Sequence, residues 1–226
     1  YTYVLITICI ILCRISYSLK FIRKSFSKEN NYKILIKSGL STTFSSSFTM
    51  FANHAEKLIL GYLDTRQLAI FTIAQLFPRI IKDNVKVILT PTANNWASKG
   101  FNYYKCMIIK HEIMLWLLGL VTYLLLYFTV EITIGIFFSK YEDSIIIAQL
   151  LSITIIYKFV ESVKMSSMAL SEHTPIFNKI NNVSNLIKLI LVSVLVPIYG
   201  TYGAVSTILI VDTIRFVYVA KEFNRI

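Results

Sequence analysis

The chain has 226 residues, 55% of them hydrophobic and 15% charged, with a formal net charge of +11 and a mean hydropathy of +0.63. Soluble domains average roughly 45–50% apolar and 25% charged residues, so the composition indicates a membrane protein and excludes an ordinary soluble globular chain. Seven glycines and four prolines exclude collagen-like and low-complexity classes, and Cys9, Cys13 and Cys106 supply neither a paired metal knuckle nor an even disulfide set.

A spanning helix needs about 20 mostly apolar residues. Uncharged runs separated by charged clusters predict helices at 1–19, 34–57, 66–93, 108–130, 143–170, 177–197 and 201–220. The first opens inside YTYVLITICIILC with no charged leader region, which reads as a fragment beginning within a helix, with Cys9 and Cys13 packing on one face. The expected fold is therefore all-α: a polytopic transmembrane bundle over 1–226, with one partial and six complete spans. The basic loop 20–33 is the linker between two halves of a longer protein, and 34–226 form a six-helix bundle.

If that loop is cytoplasmic, the inside segments hold Lys20, Arg23, Lys24, Lys28, Lys33, Lys99, Lys105, Lys110, Lys179, Lys221 and Arg225. The outside segments hold Lys57, Arg66 and Lys140. This asymmetry follows the positive-inside rule and sets the orientation. The positive charge is then mostly topological, and no nucleic-acid partner is needed to explain it.

The segment FPRIIKDNVKVILT, 77–90, places Arg79, Lys82, Asp83 and Lys86 within a helical sector of about 100°. Phe77, Ile81, Val85 and Ile88 occupy the opposite face. A charge at the bilayer centre costs on the order of 2.5–3.5 kcal/mol on insertion scales, against roughly 0.3–0.6 gained per large aliphatic residue. The stripe is therefore expected to face protein or water, as part of a net positive, hydrated cavity with an anionic guest.

Neighbouring runs supply further polar faces. Lys37, Ser38, Ser41, Thr42, Ser45, Thr49, Asn53 and Glu56 share a broad sector of 34–57. Asn181, Asn185 and Lys188 align at helical spacing, 143–170 carries Lys158, Glu161 and Lys164, and the last run has Asp212 with Arg215. MLWLLGLVTYLLLYFTV, 114–130, has no charge and reads as the most lipid-exposed span. The alternative reading of the charges is a set of structural ion pairs: Lys82 or Lys86 with Asp83, Lys158 with Glu161, and Asp212 with Arg215.

Catalytic signatures do not emerge. HEIML, 111–115, starts like a zincin but has Leu115 where a second ligand belongs. His54, His111 and His173 lie beside Glu56, Glu112 and Glu172 at predicted helix ends and read as interface residues, with a proton relay through His54 and Glu56 as the sharper alternative. The NVS sequon at 182–184 falls inside a predicted helix. The chain reads as a non-enzyme without metal or cofactor.

EKLILGYLDTRQLAIFTIAQ, 56–75, resembles the opening of the second half of Wzx-type O-antigen flippases, the polysaccharide-exporter branch of the multidrug/oligosaccharidyl-lipid/polysaccharide superfamily. NKINNVSNLIKLILVSVLVPIYGTYGAVSTILIVD, 178–212, is similar to that family's Asn-rich helix and following Pro-Gly hairpin, and PTANNWASKGFNYYK, 91–105, to the loop before its ninth helix. The resemblance implies the C-terminal half of a twelve-helix MATE-like transporter in the bacterial inner membrane. Its implied substrate is an undecaprenyl-pyrophosphate-linked oligosaccharide, moved from the cytoplasmic to the periplasmic leaflet by alternating access. It further implies as partners membrane lipid, an N-terminal half, and an O-antigen polymerase with its chain-length regulator. Within this reading Arg79, Lys82, Lys86, Lys37 and Lys188 bind substrate, and Asp83, Glu161, Asp212 and Glu56 are proton-coupling candidates. The competing readings are a drug antiporter or peptidoglycan-precursor flippase of the same superfamily, or an integral-membrane polymerase or glycosyltransferase of the same pathway.

Overall fold

The computed structural model describes residues 32–97, 99–170 and 174–226. The expected helix at 1–19, with Cys9 and Cys13, and the pair Glu172 and His173 lie outside the described residues. The linker expected at 20–33 is described only at its last two residues, which are already helical. Two compact units divide the chain, Tyr1–Phe44 and Ser45–Ile226. In the first, residues 32–44 are the opening turns of α1. Every contact described below belongs to the second.

Among the described residues all regular structure is helical: α1 (Tyr32–Leu63), α2 (Thr65–Ala97), α3 (Phe101–Phe137), a 3₁₀ turn (Ser139–Tyr141), α4 (Asp143–Ser152), α5 (Ile155–Leu170) and α6 (Thr174–Arg225). The helices outrun the apolar windows that locate them, because backbone hydrogen bonding does not stop where hydrophobicity does. Residues 131–137, expected in an outer loop, thus belong to α3. The α1–α2 connection shrinks to Asp64, whose Oδ1 accepts the Arg66 N–H at 2.8 Å and caps α2.

The single span expected at 143–170 is two helices bent by 43°. At the break the backbone tightens to i−3 bonds, Ile153 N to Leu150 O at 3.2 Å and Thr154 N to Leu151 O at 3.3 Å. The buried Ser152 and Thr154 hydroxyls donate to the Ala148 and Leu151 carbonyls, an alternative to solvent that bends helices.

The opposite difference occurs in α6, where the two runs expected at 177–197 and 201–220 form one continuous assignment interrupted only at Gly200 (φ 57°, ψ −130°). That conformation needs glycine. The chain folds back there: arm α6a (174–199) returns as α6b (201–225), and Gly203 packs so closely on the Leu195 carbonyl that a side chain would collide with it. Gln67 Oε1 accepts the Thr201 N–H at 3.1 Å and so ties the turn to the start of α2.

Packing centres on α5, which lies against α2, α3 and α6. Gly119 lets α3 approach α5 until only hydrogen fits against the Ile156 backbone. Phe71, Ile108, Ile134, Ile147, Leu151 and Ile155 are fully buried in the core of the bundle. The outer face of α3 is apolar and open, with Ile113, Leu125 and Phe128 more than half exposed. Two helices, Asn102–Phe137 and Thr174–Arg225, are long and apolar enough to cross a membrane, and the bent α4–α5 pair makes a third. The Ser/Thr run of α1 and the charges of α2 keep those two helices out of this class.

Candidate functional site

Charged side chains meet at mid-length of the bundle. Lys82 is near the midpoint of α2 and Asp212 near that of α6b; at 1.5 Å per residue each lies on the order of 20 Å from its helix ends. The Lys82 ammonium donates to Asp212 Oδ2 at 2.8 Å. On α5, one turn beyond the bend, Lys158 Nζ reaches both Glu161 oxygens at 3.0 Å. Arg215 of α6b approaches the same carboxylate, Nε to Oε1 at 3.1 Å. Lys158 and Arg215 also lie within electrostatic reach of Asp212. Glu161 is 1% exposed and the four others are 17–27% exposed, so three cations and two carboxylates form a largely dehydrated cluster with one positive charge in excess.

A second polar seam joins α1 to α6a. Ser45 Oγ donates to Asn182 Oδ1 at 2.9 Å, and Asn185 Nδ2 to Thr49 Oγ1 at 2.7 Å. Lys188 Nζ then binds Asn53 Oδ1 at 3.2 Å and the Glu56 carboxylate at 3.1–3.3 Å. Gln75 of α2 also reaches Glu56, at 3.5 Å. Both residue series ascend together, so α1 and α6a run parallel. Interhelical amide, hydroxyl and ionic contacts of this kind hold helices together where apolar packing has no competitor to displace. The two polar faces read from the sequence are each other's partners, with Asn182 rather than Asn181 facing Ser45.

The remaining site residues are dispersed. Arg79 Nε is 3.8 Å from Asp83 Oδ2, with the side chains 57% and 76% exposed. Lys82 turns away from Asp83 to Asp212, which splits the stripe between an inner pair and an outer one. Arg215 correspondingly engages Glu161 rather than Asp212. Lys37 lies in the first unit and Lys86 on α2, and their placement is described only at the level of the helix. Lys188 and Glu56 are consumed in their mutual pair.

Two features escape a reading of single helices. Glu112, beside His111, pairs with Lys164 at 2.7 Å, and the Lys164 ammonium sits 5.5 Å above the Phe223 ring. His111 stacks on Trp96 at 5.7 Å and its Nδ1 lies 2.9 Å from the Met107 carbonyl, so the histidine is a packed residue next to an ion pair. The sharing of Glu161 between two helices is the second. Its only signal in sequence is the surplus of cations over carboxylates on α5 and α6b. No group of three or more His, Cys, Asp and Glu able to hold a metal occurs among the described residues.

Geometry defines the class as an all-helical, membrane-associated protein with a charged cluster inside its bundle. Compared with models of known families, with curated proteins and with solved structures, the chain matches none of them.

Proposed function

We propose that this chain is the C-terminal bundle of a flippase that moves an anionic, lipid-linked oligosaccharide across the bacterial inner membrane. The sequence resemblance to Wzx-type exporters nominates the substrate, an undecaprenyl-pyrophosphate-linked repeat unit. One observation carries the reading: the five-residue cluster of Lys82, Lys158, Glu161, Asp212 and Arg215 leaves a net positive charge at mid-bundle. Intramembrane ionisable residues that exceed their partners mark substrate or ion paths, and an unpaired pyrophosphate in hydrocarbon loses many kcal/mol of hydration.

In this proposal six spans cross the membrane. The two arms of α6 each exceed the roughly 20 residues a span requires, and α1 and α2 cross as polar-lined helices whose charged sides avoid lipid. Arg79, exposed beside the cluster on α2, attracts the pyrophosphate, with Lys82 and Arg215 as the basic groups of the cluster and Lys86 as a further basic residue of α2. The carboxylates Asp212 and Glu161 are the coupling groups: releasing their cations to the passing anion frees them to take protons. Glu56 and Lys188 serve the scaffold, because each is the other's buried ion-pair partner. The polyprenyl tail remains in lipid beside the apolar face of α3, and a second bundle completes the path.

The test is complementation of a flippase-deficient strain. Arg79→Gln with Lys82→Gln abolishes surface polysaccharide while the protein still accumulates in the membrane, and Arg79→Lys with Lys82→Arg retains export. Undiminished export by the neutral variant would overturn the proposal.

A further inference from the structure

At the basic end of the bundle, opposite the turn at Gly200, the two arms of α6 leave a gap between them. The gap is a cleft of about 430 Å³ lined by Ile176, Lys179, Tyr218, Glu222, Arg225 and Ile226. Lys179 belongs to the first turns of α6a, and Tyr218, Glu222 and Arg225 to the last turns of α6b. Among the described residues Lys179 and Arg225 take part in no ion pair, although Glu222 lines the same space. Two side-chain cations therefore oppose one side-chain carboxylate. Lys105 of α3 adds a third cation at this end, where its ammonium reaches the Asn224 carbonyl at 3.4 Å.

We infer that this cleft binds a phosphate-ester anion, with the headgroup of an anionic phospholipid as the form that fits its position. Arg225 offers a planar fork of donors for two phosphate oxygens, Lys179 a mobile point charge, and Tyr218 a phenolic donor. Ile176 and Ile226 supply apolar surface for the first methylenes of an acyl chain, and Glu222 keeps the empty site from holding two bare cations together. Basic pockets between helices at a membrane surface take acidic headgroups for these reasons. The site lies a half-bundle away from Lys82 and Asp212, so it is independent of the transport reading: it bears on lipid retention, not on movement of the oligosaccharide.

The experiment uses the full chain in detergent, equilibrated with phosphatidylcholine alone or with phosphatidylglycerol added, and counts retained lipid by native mass spectrometry. Preferential retention of phosphatidylglycerol is expected. Lys179→Ala and Arg225→Ala each lower it about fivefold at low salt, the loss expected for one basic group near an anionic surface. Glu222→Gln raises it, a gain that misfolding cannot imitate. Glycerol phosphate added in solution separates the sources: competition at matched concentration assigns the site to soluble phosphate esters, and its absence to lipid. Equal retention of both lipids with no response to glycerol phosphate, or retention unchanged in all three variants, would overturn the assignment.

Discussion

Substituting Asp212 tests the central cluster most sharply, because its two charges of opposite sign are not equivalent to the fold. Asp212→Asn leaves Lys82, Lys158 and Arg215 sharing Glu161 alone, three cations to one carboxylate. Lys82→Met leaves two and two, with Lys158 and Arg215 still within reach of Asp212. Removing one member of a fully buried pair costs about 3–5 kcal/mol. With side chains 21% and 17% exposed, about 2–3 kcal/mol is expected for Asp212→Asn, against about 1 kcal/mol for Lys82→Met. For a domain of this size that corresponds to a loss on the order of 5–10 °C in midpoint for the first variant. Thermal unfolding in detergent, followed by fluorescence, measures both; Trp116 is a local probe, since its ring packs edge-on against Phe216 at 5.5 Å, next to Arg215. The double variant should be less destabilised than the sum of the singles by about 1 kcal/mol or more. Equal losses from the two single variants, or strict additivity, would refute the reasoning.

Other consequences are independent of that cluster. Gly119→Leu must part α3 from the Ile156 backbone and should prevent accumulation of folded protein in membranes, whereas Gly135→Ala, with open space around it, should be silent. Gly200→Ala forces a side chain into a conformation reserved for glycine and should lower stability by about 1–3 kcal/mol, measured as a shift in thermal midpoint. Lys188→Met strands Glu56, 1% exposed, and should reduce the yield of monodisperse protein severely, with partial rescue when Glu56→Gln is added. Arg79→Ala should leave stability within about 1 kcal/mol, because the Arg79–Asp83 pair is long and exposed, while transport in the complementation assay is lost.

Within the described residues, helix positions were legible because apolar runs and charge breaks are local signals. The hairpin at Pro197–Gly203 was legible for the same reason: glycine and proline mark where the chain turns. Where the helices end was less so, since a helix continues past the last apolar residue, as α3 does to Phe137. The bend at Ile153 and Thr154 carried no proline or glycine to announce it. It depends on serine and threonine hydroxyls finding backbone carbonyls once buried.

Partner choice was the least legible property of the site. Asp83 is one residue from Lys82 and was the natural partner on a single helix, yet neighbouring residues on a helix point about 100° apart. Lys82 points inward to Asp212, and Asp83 outward to Arg79. Nothing in α2 alone states which side of that helix meets α6b. By contrast, the polar sectors of α1 and α6a were both readable as sectors, and pairing them required only that two polar faces avoid an apolar surrounding.

The most direct measurement asks whether the exposed side of α2 is wet. In a cysteine-free background, Arg79→Cys and Asp83→Cys are placed one at a time in the full chain, with Leu125→Cys and Phe128→Cys on α3 as lipid-facing references. Each is then exposed in native membranes to a membrane-impermeant thiol reagent. Hydrated space beside the cluster predicts rapid modification at 79 and 83, slowed by the lipid-linked substrate, and none at 125 or 128. Resistance at 79 and 83 equal to that at the reference positions would place the charged stripe against acyl chains or sealed protein, and would contradict a hydrated anion path.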